Sequence, residues 1–263
     1  MLIHAGDPLG TGWCLLNVVT GEQPGYRQGQ LRLLESAEKH HWPGGILLWR
    51  GEYPPASPTH DRQPYAFKVH ACLEAVRMGY TRLLWVDSVC WFTRGPGDLL
   101  RHVLDKGHLL LHGGDTAGQW CSDRVAGEAG LDREELMGIP LVGGSVYGLD
   151  LTCVKTQAFF ETWCEWCRKG RFAGFAINDQ ADTAMVRQGL GARPTGFVST
   201  DPRVHGHKHD ETAASILAHQ LGMELTPVGQ WFDGYAPAGS PAAAAAGHAT
   251  EDNEKITITS QGY

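Results

Sequence analysis

The sequence predicts an α/β domain built on a mixed, mostly parallel sheet flanked by helices. Three observations lead there. Short apolar runs at 14–19, 45–49, 82–86 and 108–112 have the length of strands buried on both faces. Segments with helical spacing of apolar residues lie between them, the alternation that parallel sheets require. The run at 82–86 stops abruptly on Asp87, where a strand would leave the sheet. In open sheets of this kind, ligands bind outside the carboxyl ends of the strands.

The elements follow in order. A first strand, 14–19, ends at Thr20-Gly21, and a helix covers 25–41 with Leu31, Leu33, Leu34 and Ala37 at core spacing. A strand at 45–49 leads into a Pro-rich loop through Pro64. A helix over 65–78 carries Phe67, Ala71, Leu73, Ala75 and Val76, and the strand 82–86 follows a Gly79-Tyr80 break. A short helix at 99–106 precedes the strand at 108–112, and helical pieces are expected at 119–129 and 133–137. Residues 142–149 read as a strand containing Gly143-Gly144, a pattern that signals close approach to the backbone. Helices are expected at 155–169, at 178–188 with Asn178 as N-cap, and at 212–221. From residue 236 the composition shifts to Pro, Gly, Ser and an alanine run, so 1–235 reads as a single domain and 236–263 as a flexible tail.

With 42% apolar residues the chain can bury a sizeable core. A net charge of -7 argues against coating nucleic acid, which needs a basic face. No apolar run reaches the ~18 residues of a membrane span. The first residues lack a charged segment followed by an apolar one, so no secretory signal is expected. Seven scattered cysteines fit reduced thiols and a cytoplasmic protein, with Cys164 and Cys167 as helix thiols. P-loop, dinucleotide-fold and G-x-S-x-G signatures are missing from the sequence.

Several constellations can carry chemistry. Asp87 with Ser88 offers a strand-end carboxylate to a divalent cation, and Lys68 on the preceding helix offers a positive charge to the same rim. His205, His207 and His209, followed by Asp210 and Glu211, form a dense set of metal-ligating residue types. Asn178-Asp179-Gln180 places a carboxylate and an amide at an expected helix start. Trp120 and Asp123 are residue types that stack on and hydrogen-bond a sugar, and Gly143-Gly144-Ser145 is open to a sugar or a packed helix.

The order of these pieces resembles a GT-A-fold glycosyltransferase, with blood-group-transferase-like features, over roughly 14–222. Trp85-Val86-Asp87-Ser88-Val89 occupies the place of the metal-binding D-x-D motif, with Val89 standing where a second acid would be. Gly143-Gly144-Ser145 resembles the acceptor-side strand of retaining members. Both Asp179-Gln180 and His209-Asp210-Glu211 are similar to the D-Q or H-D-E helix start, and residues 193–199 resemble the segment that follows it.

The resemblance implies a GT-A-like, Rossmann-type domain that moves a hexose or pentose from a UDP- or GDP-linked donor to a hydroxyl acceptor. It implies Mn2+ or Mg2+ on the diphosphate, held by Asp87 and one of His205, His207 or His209. Thr20 and Tyr26 fall near the base or ribose, and Lys68 near a phosphate. Asp179, Gln180 and Asp123 are the candidate catalytic residues, with Glu211 in reserve. The acceptor is a glycan or a hydroxymethylated base in DNA, the latter disfavoured by the net charge. Two rival readings stand beside it: a metal-dependent hydrolase using the three histidines, and a non-catalytic nucleotide-sugar-binding module.

Overall fold

In the computed structural model, residues 2–5, 10–21, 24–179, 195–233 and 257–260 are described. A seven-stranded sheet forms the centre, in the order β1-β3-β2-β4-β7-β6-β10. Its strands are β1 (Leu2–Ala5), β2 (Trp13–Val19), β3 (Gly45–Arg50), β4 (Arg82–Val86), β6 (His108–Thr116), β7 (Pro140–Asp150) and β10 (Thr226–Pro227). β2, β3, β4, β6 and β10 run one way, while β1 and β7 run against them. The sheet is therefore mixed and mostly parallel in strand direction.

Alternation along the central strands divides the core between two faces. Leu16, Val18, Leu83, Trp85 and Tyr147 point to one face, where they meet α2 (Ala66–Arg77), α6 (Val154–Arg168) and α7 (His209–Gln220). Leu15, Leu84, Val86 and Val146 point to the other, against α1 (Pro24–Lys39) and α3 (Gly97–Lys106). Two helix ends follow from residue type. Pro24 opens α1, where its missing N–H costs nothing. Gly107 closes α3 in the left-handed conformation. Cys164 and Cys167 are buried on α6, and burial pushes both thiols up to about 12, so they are packing groups.

The connections place a crevice at the middle of the sheet. From β2 the chain crosses through α1 to β3, then returns over the opposite face through α2 to β4 on the other side of β2. The carboxyl ends of β2 and β4 flank this change of direction. Antiparallel β7 extends past the end of β4, and the Asp87 N–H donates to Ser145 O at 2.8 Å.

Several elements differ from the sequence expectation. The piece at 119–129 is split into a 3-10 turn, Ala117–Trp120, and α4 (Asp123–Ala129), because the Ser122 side chain caps Val125 and restarts the helix. α5 is Arg133–Met137. Among the described residues, Asn178 is a strand residue and not a helix cap. Ile177–Asn178 forms β8 beside β9 (Thr195–Gly196), and the buried Asn178 amide donates to Ser199 O at 2.8 Å instead of capping. Residues 180–194, including the rest of that expected helix, lie outside the described residues. β5 (Cys90–Phe92), β11 (Phe232–Asp233) and β12 (Ile258–Ser260) form a second small sheet. The part of the expected tail that is described is thus a strand, paired to β5. Among the described residues no helix is long and apolar enough to cross a membrane.

At Gly45, the first residue of β3, an added methyl would collide with the ring and hydroxyl of buried Tyr80. Gly45→Ala is expected to cost about 1–3 kcal/mol in urea unfolding. A neutral result would mean that Tyr80 does not pack on β3.

Candidate functional site

The site is organised around a buried ammonium. The Pro-rich loop after β3 delivers α2 to the carboxyl edge, and Lys68 stands in its first turn, 2% exposed. Its Nζ donates to Gly144 O at 2.7 Å and lies 3.1 Å from Asp210 Oδ2 and 3.5 Å from Asp87 Oδ1. Gly144 O thus accepts its hydrogen bond, and the two carboxylates are its ion-pair partners. The rings of Tyr65, Trp85 and Tyr147 surround it at 5.0, 5.5 and 5.6 Å. The direct phosphate contact expected of Lys68 is therefore not available, and its charge acts through the carboxylates it holds.

Each carboxylate has a second anchor. Trp85 Nε1 donates to Asp87 Oδ1 at 2.7 Å, and Tyr147 Oη donates to Asp210 Oδ2 at 3.0 Å. Burial alone would make the lysine less basic, but Asp210, Asp87 and Glu211 outweigh it and raise Lys68 above its ordinary value. Three carboxylates compete for this one ammonium. Asp210, fully buried, is pushed up to about 6 by burial, with Lys68 opposing the rise.

Glu211 joins through the glycine. The Gly144 N–H donates to Glu211 Oε1 at 2.9 Å, while Gly144 O accepts from Lys68. A Cβ at Gly144 would lie 2.9 Å from Glu211 Cγ and 3.0 Å from Lys68 Nζ, which explains the glycine inside a strand. Gly143 has no such contact, its nearest neighbour being Leu111 O at 3.9 Å. Lys208 Nζ lies 3.6 Å from Glu211 Oε2 and 3.6 Å from Asp115, and 4.5 Å from the centre of the Trp120 ring. Trp120 donates to Asp115 at 3.0 Å and stacks on His205 at 5.4 Å. Asp210, Glu211, Lys208 and Trp120 line a cleft of about 740 Å³.

The histidines do not form a ligand set. His207 is buried, with Nδ1 accepting from the Ser122 N–H at 3.3 Å and Nε2 donating to Arg171 O at 3.1 Å. Burial, then the neighbouring His209, lowers it to about 3, so it is a neutral imidazole holding loop backbone. His209 donates from Nδ1 to Phe172 O at 2.7 Å and begins α7, which breaks the alternation expected of an extended segment. Half-buried His205 stacks on Trp120. Among the described residues, no three His, Cys, Asp or Glu side chains are placed to hold an ion together. Among the described residues, the three-histidine constellation of the hydrolase reading is not assembled.

The remaining candidates separate from this centre. Asp123, in the first turn of α4, pairs with Arg133 at 2.7 Å. Asp179 is exposed, its N–H donating to Gly196 O, and Gln180 lies outside the described residues. Thr20 follows the end of β2, Tyr26 is exposed in the first turn of α1, and Ser88 is buried in the turn after Asp87. Ser145 contributes its carbonyl to Asp87. The sequence reading missed Tyr65, Trp85 and Tyr147 as participants. It held Asp210 as a metal-ligating residue type beside the histidines and as part of H-D-E, not as a partner of Lys68.

Asp87 is the carboxylate suited to a metal ion. Its Oδ1 is taken by Trp85 and Lys68, its other oxygen has no partner among the described residues, and the side chain is 30% exposed. Magnesium-type sites commonly use one or two carboxylates with water and substrate phosphates.

No protein-family model matches the chain, and no curated protein matches it. Among solved structures, the apo crystal structure of mouse xyloside xylosyltransferase 1 is similar over 90% of this chain and 73% of its own, at a TM-score of 0.39 and 11% identity. A likeness of that size assigns neither activity nor substrate.

Lys68→Met leaves Asp87 and Asp210 without their ammonium and is expected to cost about 3–5 kcal/mol in chemical denaturation. Glu211→Gln, at a partly exposed position, should cost less than about 1 kcal/mol. Equal costs would refute the central place of Lys68.

A pH series tests Asp210. Its folded-state value is raised, so its contribution to stability is full below 3.8 and is lost as pH rises through about 6. The stability of wild type minus that of Asp210→Asn should therefore fall across that interval. A flat difference would show Asp210 to be unperturbed.

Proposed function

We propose that the chain is a glycosyltransferase that moves a hexose or pentose from a nucleotide-sugar to a hydroxyl acceptor. One observation carries the reading. Asp87, Gly144 and the Asp210-Glu211 helix start, the three stretches that resemble glycosyltransferase motifs, meet around Lys68 at the carboxyl edge of the sheet. The edge lies beside the crevice between β2 and β4, where a ligand has access to strand ends and helix starts. Among the described residues, the helix start that touches this centre is His209-Asp210-Glu211.

In this proposal the donor is a uridine or guanosine diphosphate sugar, and its diphosphate lies against Asp87. Mn2+ or Mg2+ on Asp87 would neutralise the charge that develops on the leaving diphosphate. Lys68 fixes the Asp87 carboxylate from below and keeps its Oδ1 occupied. The acceptor oxygen forms a bond to the anomeric carbon. The bond from that carbon to the diphosphate oxygen breaks, and its electron pair leaves with the nucleoside diphosphate. Glu211, held on Gly144 and lining the cleft, takes the hydroxyl proton. The buried free thiols accord with work in the reducing cytoplasm.

Thermal unfolding with UDP and GDP, with and without Mn2+, tests the reading on wild type and Asp87→Ala. One nucleotide should stabilise the wild type in a metal-dependent way, by about 2.7 kcal/mol at a hundredfold excess over Kd, and the variant should lose the effect. Glu211→Gln should keep donor binding while transfer falls by about 10²–10⁴. No shift with either nucleotide would remove the transferase reading.

A further inference from the structure

We infer that the cleft above Glu211 is an acceptor subsite for a saccharide, gripped between the Tyr65 and Phe175 side chains. This rests on the transferase reading of the edge and names the class of acceptor that reading leaves open.

Backbone strain points to the cleft first. Tyr65 and His209 have φ of 60° and 48°, a left-handed conformation that non-glycine residues avoid. Each costs of order 1–3 kcal/mol, and such residues gather at functional sites. These two stand against each other, ring centres 5.5 Å apart, and both line the same cleft. Tyr65 immediately precedes α2 and His209 opens α7, so the strain sits at the starts of the helices that carry Lys68 and Glu211.

Open aromatic surface is the second observation. Tyr65 and Phe175 are 36% and 44% exposed, although both border a cavity. The Phe175 ring lies across Gly196, where any Cβ would collide with it, so its position is built into the backbone. Partly exposed aromatic rings beside carboxylates and an ammonium suit a ring with an apolar C–H face and a rim of hydroxyls.

Charge weighs against a nucleic acid. Asp61, Asp210 and Glu211 line the cleft against Arg62 and Lys208. Arginines of the neighbouring segments are engaged: Arg124 and Arg171 on Glu128, Arg133 on Asp123, Arg203 on Glu134 and Asp201. A phosphodiester chain needs unspent cations to displace its counterions. A neutral saccharide needs none.

Saturation-transfer NMR with methyl glucoside, galactoside, xyloside and N-acetylglucosaminide tests the inference without donor or metal. The proteins are wild type, Phe175→Ala and Tyr65→Gly, the last keeping a residue at ease with positive φ. A glycoside should receive saturation on its ring C–H protons, with affinity falling about fivefold in each variant. The inference is overturned if no glycoside binds, if both variants bind like wild type, or if a hydroxymethylcytosine duplex binds instead. Glycoside binding without any nucleotide shift would sink the transferase reading and leave a saccharide site with no acceptor role; a nucleotide shift without glycoside binding would sink this inference alone.

Discussion

An ammonium group is tolerated away from water only where anions and carbonyls surround it, and much of this edge follows from Lys68 meeting that condition. Its partners come from the turn after β4, from β7 and from α7, so the ion cluster ties the sheet to the helix layer at one point. The attraction is strong because the surroundings are rings and backbone rather than solvent. It is also demanding, since desolvation must be offset by good geometry. Trp85 and Tyr147 supply that geometry from below, each giving a hydrogen bond to a carboxylate oxygen.

The cluster also decides which acid faces outward. Asp210 turns inward to Lys68 and Tyr147, and its neighbour Glu211 turns to Gly144 and the cleft. Adjacent residues of one helix start thus receive opposite tasks. Antiparallel β7 makes this possible, because at Gly144 it presents a carbonyl to the lysine and an N–H to the glutamate.

Much of this was legible in the sequence, for physical reasons that also set the limits. The strands at 82–86 and 45–49 announce themselves as apolar runs between breaks, and Asp87 stands out because a charge ends such a run. Gly144 was visible as a glycine in a strand, though which neighbour crowds it was not. β5, β11 and β12 are two or three residues long, too short for any period, and owe their existence to pairing partners far along the chain. The histidines misled because residue type does not reveal that a ring nitrogen is taken by a distant carbonyl, as His207 is by Arg171. Asp179 and Asp210 both follow helix-start patterns in the sequence, and the structure gives the contact with Lys68 to Asp210.

The pairing of β5 with β12 carries a consequence for biosynthesis. β5 lies beside the Asp87 turn, yet its partner strand leaves the ribosome roughly 170 residues later. At ordinary translation rates that is a wait of about 10–30 seconds. During that interval the nascent chain displays an unpaired strand edge next to its central crevice, an exposure that a chaperone is suited to cover. The α/β core can consolidate on the ribosome, while this side of the edge is sealed only after residue 260 has emerged.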